Sequence, residues 1–492
     1  MKTHLIPTLM IFACCGGKDP IDSGDPPVDS PPTDDTGPPE LAPRYDLGSA
    51  HARVLGGRSF SGLGRRVALA GDVDGDGWED LLVGSEDPVG EADMAGLVYL
   101  MRGPLDGDSS SDDAVASLGG PSDWDYSVGP FDLCRAGDMN ADGYADIILG
   151  HRSNEDESMP SGSVYLQHGP VSGSLSVVDA DAVLYGAPDS PSGQYSLAVA
   201  DVNGDGIRDL WIGDSGYDEP SANAGAAYLF LGPIPARATT DQADATIRGV
   251  MLNEYAGHAV DAAGDTDGDG LNDLVVGAPS IQEGHALPGR VYLVLASAAE
   301  TSSLDDAVGI YEGEVVDDRL GMSVASLDFD GDGYADLALG ASGGDRAVSY
   351  AGGVYVVPGS TVGSFSVGDA ARWIFVGVEE GEQAGIAVAS GGDGDGDGCD
   401  DLLISASHFH DDRGRVYLAR SPETGVSSLG LATARFLGEG AHNLVGEGHG
   451  SLAGGVDLSG DGVPDWVVGA FDADVESRDQ GAVYVWSGAE LL

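Results

Sequence analysis

Short apolar runs alternate with polar, glycine-rich stretches from Ala52 to the end of the chain, and the runs come in sets of four. The first run of a set is rich in Ala and Val, as in Arg66–Gly71, and the second follows a group of Asp and Gly residues, as in Asp80–Gly84. The third contains Gly-x-Val-Tyr-Leu, as in Gly96–Leu100, and the fourth ends near a Gly, as in Ala182–Gly186. Short β-branched runs bounded by glycine are typical of strands. Each set is therefore predicted to form four strands.

The set of four runs occurs seven times, and successive copies begin 63 to 66 residues apart. A fixed spacing of this size indicates a repeat architecture, in which each repeat packs against its neighbours. Seven repeats of four antiparallel strands predict an all-β fold, a seven-bladed β-propeller with four-stranded blades.

The two ends of the chain complement each other. After the third strand of the seventh repeat only Trp486–Leu492 remain, so that repeat lacks a fourth strand. A spare strand, Ala52–Gly56, precedes the first repeat. We expect this N-terminal strand to complete the last blade, because closing the ring removes an exposed sheet edge.

Every repeat carries a nine-residue loop between its first and second predicted strands, and these are numbered loop 1 to loop 7 in chain order. The clearest copy is Asp72–Asp80, with Asp at positions 1, 3, 5 and 9 and Gly at position 6. Alternate residues of a tight loop can point their oxygen atoms at one centre, and Ca²⁺ takes six to eight oxygen ligands at ~2.3–2.6 Å. The loops therefore predict up to seven Ca²⁺ sites, with side-chain ligands at positions 1, 3, 5 and 9 and a backbone carbonyl at position 7.

The predicted metal ligands are, loop by loop, Asp72, Asp74, Asp76, Trp78 and Asp80; Asp138, Asn140, Asp142, Tyr144 and Asp146; Asp201, Asn203, Asp205, Ile207 and Asp209; Asp265, Asp267, Asp269, Leu271 and Asp273; Asp328, Asp330, Asp332, Tyr334 and Asp336; Asp393, Asp395, Asp397, Cys399 and Asp401; Asp457, Ser459, Asp461, Val463 and Asp465. Ser459 replaces a carboxylate or amide at position 3, so we expect loop 7 to bind calcium most weakly.

An EF-hand shares the first half of this pattern but needs a Glu at position 12 and a helix on each side. Position 12 is apolar in all seven loops, for example Val83 and Leu149, and lies in a strand-like run. We interpret the loops as structural, because a catalytic metal keeps a position open for water or substrate.

The formal net charge of −60, with only 22 Lys and Arg residues, argues against nucleic-acid binding, which requires a basic surface. Positions 1, 5 and 9 of the loops account for 21 of the Asp residues, and seven bound Ca²⁺ would bring the formal charge to −46. The four Cys residues show no disulfide framework.

The N-terminus is predicted to direct export. Residues 1–13 form a short apolar leader, and Ile11–Cys14 resembles the bacterial lipobox, in which the Cys is lipidated, although Phe12 departs from it. Residues 14–43, rich in Pro and Asp, are predicted to be a disordered acidic tether, and residues 44–492 the propeller. We expect a membrane-anchored lipoprotein at the bacterial cell envelope or surface, attached to the membrane only through the lipid; the alternative is a secreted protein.

The repeats resemble the FG-GAP repeat of integrin α-subunit propellers and of bacterial surface proteins, over residues 44–492. The resemblance rests on the seven loops, on Gly277-Ala278-Pro279 after a second strand, and on remnants of the Phe-Gly element such as Leu63-Gly64 and Leu320-Gly321. It implies a Ca²⁺ ion in each loop on one face of the disc, and ligand binding mostly on the opposite face.

That opposite face is predicted to be built from loops that precede each first strand and from loops between second and third strands, namely Ser85–Ala95, His151–Ser161, Asp214–Ala224, Ala278–Pro288, Ser342–Ala351, Ser405–Arg413 and Ala470–Gln480. His408, His410, Asp411 and Asp412 form a polar cluster beside Phe409, which is either a transition-metal site or a solvated loop. Trp124 and Tyr126 could stack on a sugar or pack in the core.

The chain contains no Gly-x-Ser-x-Gly, His-Glu-x-x-His or phosphate-loop motif. We therefore predict a non-enzymatic, monomeric adhesion or protein-interaction module with a protein or glycan ligand. Two alternatives stay open: a carbohydrate-binding or polysaccharide-degrading protein, and a structural part of the cell envelope. A cluster of His, Arg and carboxylate side chains at the mouth of the central channel would favour the enzyme.

Overall fold

The computed structural model describes residues 43–86, 96–119, 132–151, 162–186, 195–281, 287–298, 303–409, 413–421, 424–439, 443–448 and 450–490. Within them the chain forms seven small sheets of four or five strands, one per repeat. The first strand of each sheet lines a central channel and the others follow outward in antiparallel order. The predicted seven-bladed β-propeller is confirmed.

The four antiparallel strands of the blades, from the channel outward, are in blade 1 Val67–Gly71, Asp80–Ser85, Leu97–Met101 and Ala116–Gly119; in blade 2 Asp132–Gly137, Asp146–His151, Ser163–Gln167 and Ala182–Tyr185; in blade 3 Tyr195–Ala200, Asp209–Asp214, Ala226–Phe230 and Ala245–Arg248; and in blade 4 Ala259–Gly264, Asp273–Ala278, Arg290–Val294 and Gly309–Glu312. They are in blade 5 Leu320–Leu327, Asp336–Ala341, Gly353–Pro358 and Trp373–Val376; in blade 6 Val388–Gly392, Asp401–Ala406, Arg415–Ala419 and Ala434–Leu437; and in blade 7 Leu452–Val456, Asp465–Ala470, Ala482–Ser487 and Ala52–Leu55.

A fifth strand, which was not predicted, lies parallel to the fourth in six blades and comes from the segment that precedes the fourth strand of the next blade. These strands are Gly173–Ser176 on blade 1, Arg237–Thr239 on blade 2, Gly363–Ser366 on blade 4, Gly425–Ser428 on blade 5, Arg44–Asp46 on blade 6 and Gly107–Ser110 on blade 7. On blade 3 the described residues show a single bridge, Arg248 to Ser303. The strands are short, polar and largely exposed, so the apolar pattern of the sequence does not reveal them.

The N-terminus closes the ring as predicted. Ala52–Leu55 pairs antiparallel with Ala482–Ser487, placing Ala52 opposite Val485 and Leu55 opposite Ala482. Upstream, Arg44–Asp46 adds to blade 6, where Tyr45 contacts Phe436 and Trp486 with ring centroids 5.8 and 5.6 Å apart. The segment therefore joins two blades, one more than predicted.

Helices are few and short in the described part of the chain. One α-helix spans Val367–Ala370, and the 3₁₀ turns are Leu47–Ser49, Ser111–Asp113, Val177–Asp179, Thr240–Gln242, Ala296–Ala298, Leu304–Asp306, Leu429–Leu431 and Gly488–Glu490. None of these helices has the length or apolar content to cross a membrane.

The core lies between neighbouring blades. Second strands such as Asp465–Ala470 are buried along their whole length, because another blade covers each face. Trp211, Trp373 and Trp466 are each 1% exposed. The indole Nε1 of Trp466 donates a hydrogen bond to the Gly391 carbonyl of blade 6, 3.1 Å away. These contacts fix the blades against each other as one rigid disc.

The central channel has a volume of about 390 Å³ and is lined by the first strands of all seven blades. Side chains connect neighbouring first strands around it. Asp132 accepts a hydrogen bond from the Leu197 amide at 2.8 Å, and Asp261 accepts one from the Ser326 amide at 3.0 Å. These carboxylates satisfy backbone donors at the inner edges of the blades.

Candidate functional site

Each of the seven aspartate loops joins the first strand of its blade to the second, so all seven project from the same face of the disc, called the loop face. The position-9 Asp is the first residue of the second strand in every blade, as predicted, for example Asp80 and Asp465. The face at which the first strands begin is called the opposite face.

The loops share a set of internal hydrogen bonds. In all seven, the carboxylate at position 1 accepts the amide of the glycine at position 6, over 2.8–3.0 Å. The carboxylate at position 5 accepts the amide of position 7, over 2.8–3.0 Å. The position-6 glycines have φ between 85° and 95°, a left-handed conformation that favours glycine. The side chains at positions 1 and 5 are thus held against the loop backbone by hydrogen bonds within the loop.

The position-9 carboxylates hold each loop to its blade. All seven are at most 3% exposed. In six loops one carboxylate oxygen accepts the position-2 amide over 2.7–3.1 Å. In five loops the other oxygen accepts an amide that follows the third strand, as from Gly232 to Asp209 at 2.8 Å. Burial raises the pKa of Asp80 and Asp465 to about 6 and that of Asp336 and Asp401 to about 7.

The position-9 carboxylate is a predicted cation ligand and also the acceptor for two backbone amides. We therefore expect Asp209→Ala to destabilise the protein even without calcium. The substitution leaves the amides of Val202 and Gly232 without their acceptor, and an unsatisfied buried group costs about 1–3 kcal/mol. We expect denaturant unfolding in EDTA to show a loss of about 2–4 kcal/mol in the free energy of unfolding. The control is Asp205→Ala in the same loop, at an exposed position, which should lower stability only when calcium is present. Equal losses for the two variants in EDTA would contradict this role.

Four loops bring three acidic ligand atoms within 4.8 Å of one another: Asp72, Asp74 and Asp80 in loop 1; Asp265, Asp267 and Asp269 in loop 4; Asp328, Asp330 and Asp332 in loop 5; Asp393, Asp395 and Asp397 in loop 6. These four loops have Asp at position 3, whereas loops 2, 3 and 7 have Asn140, Asn203 and Ser459 there. The remaining acidic ligands predicted in the four loops, Asp76, Asp273, Asp336 and Asp401, lie outside these tight groups. An all-oxygen donor set rich in carboxylates fits Ca²⁺ rather than a softer metal.

Arginine side chains lie against three of these four groups, a feature that the repeat pattern does not predict. The guanidinium groups of Arg102 and Arg372 pair with Asp74 and Asp330, and that of Arg420 pairs with Asp395 at 2.8 Å. All three carboxylates are at position 3. The arginines flank strands, so their sequence signal is a basic residue just outside an apolar run. Each offsets part of the repulsion among clustered carboxylates.

Loop 7 has the weakest donor set. The hydroxyl of Ser459 is 3.5 Å from Asp457 and 3.3 Å from Asp465. A neutral hydroxyl replaces the third carboxylate, so the electrostatic attraction for a dication is smaller.

We expect Ser459→Asp to raise the calcium affinity of loop 7 about tenfold, on the scale of a charge-assisted ligand worth about 1.5 kcal/mol. Terbium luminescence excited through Trp78, whose ring lies 3.3 Å from where a Cβ on Gly460 of loop 7 would stand, reports filling of this loop when Asp72→Ala disables loop 1, to which Trp78 also belongs. Ser459→Ala is the matched control and should weaken it. Filling of loop 7 before the other loops in the unmodified protein would contradict the prediction.

The channel mouth on the opposite face brings together side chains that the sequence pattern did not single out. Arg66, Asp132 and His258 each stand at the start of a first strand. A Cβ on Gly450 would lie 3.0 Å from Arg66 Cδ and 3.2 Å from Asp132 Oδ1, so both side chains reach one spot. Burial lowers the pKa of Arg66 to about 10 and that of His258 to about 4, and raises that of Asp132 to about 7. The cluster has the composition that would favour an enzyme.

Several predicted features lie outside the described residues: Cys14, most of the tether, Trp124, Tyr126, His410, Asp411 and Asp412. His408 is half-buried, and Phe409 is 5% exposed beneath the Arg415 guanidinium, 3.2 Å from the ring centroid. Phe409 therefore packs in the core.

Comparison with known proteins supports the same family. A profile described as "FG-GAP repeat" matches residues 63–101, 256–294 and 320–357, and a profile described as "FG-GAP-like repeat" matches residues 138–212. Each match contains at least one aspartate loop with its flanking strands.

Among curated proteins, integrin alpha-V of Gallus gallus is 31% identical over 230 residues, which are 45% of this chain and 20% of the relative. Integrin alpha pat-2 of Caenorhabditis elegans is 31% identical over 224 residues, 43% of this chain and 17% of the relative. Phosphatidylinositol-glycan-specific phospholipase D of Bos taurus is 43% identical over 109 residues, 21% of this chain and 13% of the relative. The chain thus spans a fifth or less of these relatives. With its seven repeats, aspartate loops and blade order, the chain is an FG-GAP β-propeller with repeats similar to those of integrin α-subunits.

Proposed function

We propose that this protein is a calcium-binding adhesion or protein-interaction module at the bacterial cell envelope. The observation that carries the proposal is a rigid disc of integrin α-like repeats with oxygen-rich loops gathered on one face. Calcium would be held by the side-chain oxygens at positions 1, 3, 5 and 9 and the backbone carbonyl at position 7, and it would supply coordination that ties each loop together. The protein partner or glycan is bound elsewhere on the disc.

The opposite face is the proposed ligand surface. Large apolar side chains on its loops are exposed by 42–52%, namely Phe60, Leu252, Val315, Val316 and Tyr350. Val315 and Val316 lie in the segment before the first strand of blade 5, and Tyr350 lies in the loop between its second and third strands. The two segments are held together by an ion pair between Glu314 and Arg346. Exposed apolar groups with polar surroundings support protein or sugar binding.

The proposal is tested with the mature chain and a panel of polysaccharides and whole cells, in Ca²⁺ and in EDTA, with retention and product release both recorded. Saturable, calcium-dependent retention without product supports it. Tyr350→Ala should weaken retention, whereas Phe365→Ala, an exposed aromatic on the outer strand Gly363–Ser366, should not. Retention that is insensitive to both calcium and Tyr350 would overturn the proposal. Absence of both retention and product would leave a structural role in the envelope.

Anchoring at Cys14 is part of the proposal, supported by the lipobox-like Ile11–Cys14. Fractionation of cells that express the chain tests it: the unmodified protein should be in the membrane fraction and Cys14→Ser in the soluble fraction. A soluble unmodified protein would favour the secreted alternative.

A second candidate function is polysaccharide degradation, favoured by Arg66, Asp132 and His258 at the channel mouth. Against this function, the Asp132 carboxylate already accepts hydrogen bonds from the amides of Leu133 and Leu197, at 3.0 and 2.8 Å. These bonds give it a structural role. Release of oligosaccharide that is abolished by His258→Ala would establish this function in place of simple adhesion.

A further inference from the structure

The side chain at position 7 of one aspartate loop lies on position 4 of the loop before it. Position 4 is a glycine in these loops, and the contact is measured from the point at which a Cβ on that glycine would stand to the nearest atom of the position-7 side chain. The distances are 2.5 Å from Gly75 to Tyr144, 2.9 Å from Gly204 to Leu271, 3.0 Å from Gly268 to Tyr334, 3.1 Å from Gly331 to Cys399 and 3.3 Å from Gly460 to Trp78. The last pair joins loop 7 to loop 1 across the closure of the ring. Position 7, predicted only to offer a backbone carbonyl, thus has a second role for its side chain.

Position 8 makes another contact with the preceding loop. The amide of Ala145 donates to the carbonyl of Asp72 at 2.9 Å, and the amide of Asp400 donates to that of Asp328 at 2.8 Å. Asp400 also accepts the Asp328 amide at 3.0 Å. Both carbonyls belong to position 1, which bears a predicted cation ligand. Neighbouring loops therefore touch at positions 1 and 4, on either side of the ligand at position 3.

These contacts connect the predicted cation sites of neighbouring loops. The position-7 amide is hydrogen-bonded to the position-5 carboxylate of its own loop, and its carbonyl is the predicted ligand. A cation that orders one loop therefore fixes the backbone that carries the position-7 side chain. That side chain then restricts the neighbouring loop, so part of the entropy cost of ordering the second site has already been met.

Six of the seven loops have Gly at position 4, the exception being loop 2 with Ala141, and one of these six junctions lacks the contact. It is the junction between Gly396 of loop 6 and Val463, the position-7 residue of loop 7. Within the described residues, no side chain lies within 4 Å of the point at which a Cβ on Gly396 would stand. Val463 is shorter than Tyr144, Tyr334 or Trp78. The loop 6–loop 7 junction is therefore an internal control for the other five.

We infer that the position-7 side chains are positioning residues that couple calcium binding between neighbouring loops, so that the loops fill cooperatively around the ring. This inference rests on the proposed calcium binding. The coupling runs through Tyr144, Leu271, Tyr334, Cys399 and Trp78 and is interrupted at Val463.

Calorimetric titration of the full chain with Ca²⁺ tests the inference. The unmodified protein should bind with a Hill coefficient above one. Tyr334→Ala, which keeps the backbone carbonyl but removes the contact with Gly268, should lower the coefficient and weaken one site roughly fivefold or more, the usual range of coupling between sites. Val463→Ala should change neither value. Val463→Tyr, which can reach Gly396, should raise the coefficient.

The unfolding midpoint of each variant in EDTA separates coupling from simple destabilisation, because a merely structural residue would shift that midpoint without changing the Hill coefficient. A coefficient of one in the unmodified protein, or equal effects of Tyr334→Ala and Val463→Ala, overturns the inference while calcium binding stands. Absence of any calcium binding overturns both the inference and the proposed function.

Discussion

Chelation of calcium with EDTA is expected to lower the midpoint of thermal unfolding by more than about 10 °C, because a ligand that binds only the folded state adds about 2.7 kcal/mol per site at one hundred times its dissociation constant. Up to seven sites contribute. Without cations, the clustered carboxylates of loops 1, 4, 5 and 6 lie within 4.8 Å of one another and repel. Calorimetry or circular dichroism in Ca²⁺ and in EDTA measures the shift.

The size of this shift should depend on pH. The folded, calcium-free protein holds Asp80, Asp336 and Asp401 with pKa values raised to about 6 or 7, so its stability falls as pH rises through that range. Calcium binding requires the same carboxylates in ionised form and therefore strengthens as pH rises. We expect the calcium-dependent gain to be larger at pH 8 than at pH 5. Mg²⁺ is the matched control, and a midpoint insensitive to EDTA at pH 8 would contradict the calcium sites.

Deletion of residues 43–56 is expected to abolish stable folding of the propeller. This removes the fourth strand of blade 7 and the fifth strand of blade 6 and leaves the outer edge of Ala482–Ser487 unpaired, while its inner edge still pairs with Asp465–Ala470. Leu47, Val54 and Leu55 are 0–7% exposed, and burial of such side chains stabilises by about 1.5–3 kcal/mol each. The loss, on the order of 6 kcal/mol, approaches the roughly 5–15 kcal/mol total of a folded domain.

Deletion of residues 17–40, which retains Cys14 and the closing strands, is the control and should leave the unfolding midpoint unchanged. The shorter deletion of residues 43–46 should have an intermediate effect, because only the contacts of Tyr45 and the strand on blade 6 are lost. A protein without residues 43–56 that unfolds at the unmodified midpoint would show that the closure is dispensable.

Features that recur in every repeat could be predicted from the sequence, because seven copies of one local pattern reinforce each other. The aspartate loops and the start of the second strand at position 9 are of this kind. The closure by Ala52–Leu55 follows from the same repetition, because the seventh repeat lacks the fourth strand that the others have. The fifth strands could not be predicted. Gly107–Ser110 is polar and pairs with Ala52–Leu55, a partner remote in sequence, so neither periodicity nor local propensity reveals it.

Contacts between repeats also could not be predicted from the sequence. The packing of Tyr334 on Gly268 depends on how far one blade is rotated against the next, which no single repeat encodes. The same holds for the meeting of Arg66 with Asp132 at the channel mouth. Arg372 and Asp330 belong to the same repeat, but they lie 42 residues apart along the chain, so local pattern does not reveal their pairing either. The loops of the opposite face differ between repeats, so repetition gives no support for identifying their ligand.

The direction of the strand Arg44–Asp46 determines the face of the disc at which the N-terminal segment joins the propeller. It runs parallel to Ala434–Leu437, a fourth strand that starts at the loop face and ends at the opposite face. The chain therefore enters the propeller from the loop face. In the proposed lipid-anchored form, the tether would therefore attach at the loop face and leave Tyr350 and its exposed neighbours on the face away from the attachment point, open to another cell or a soluble partner.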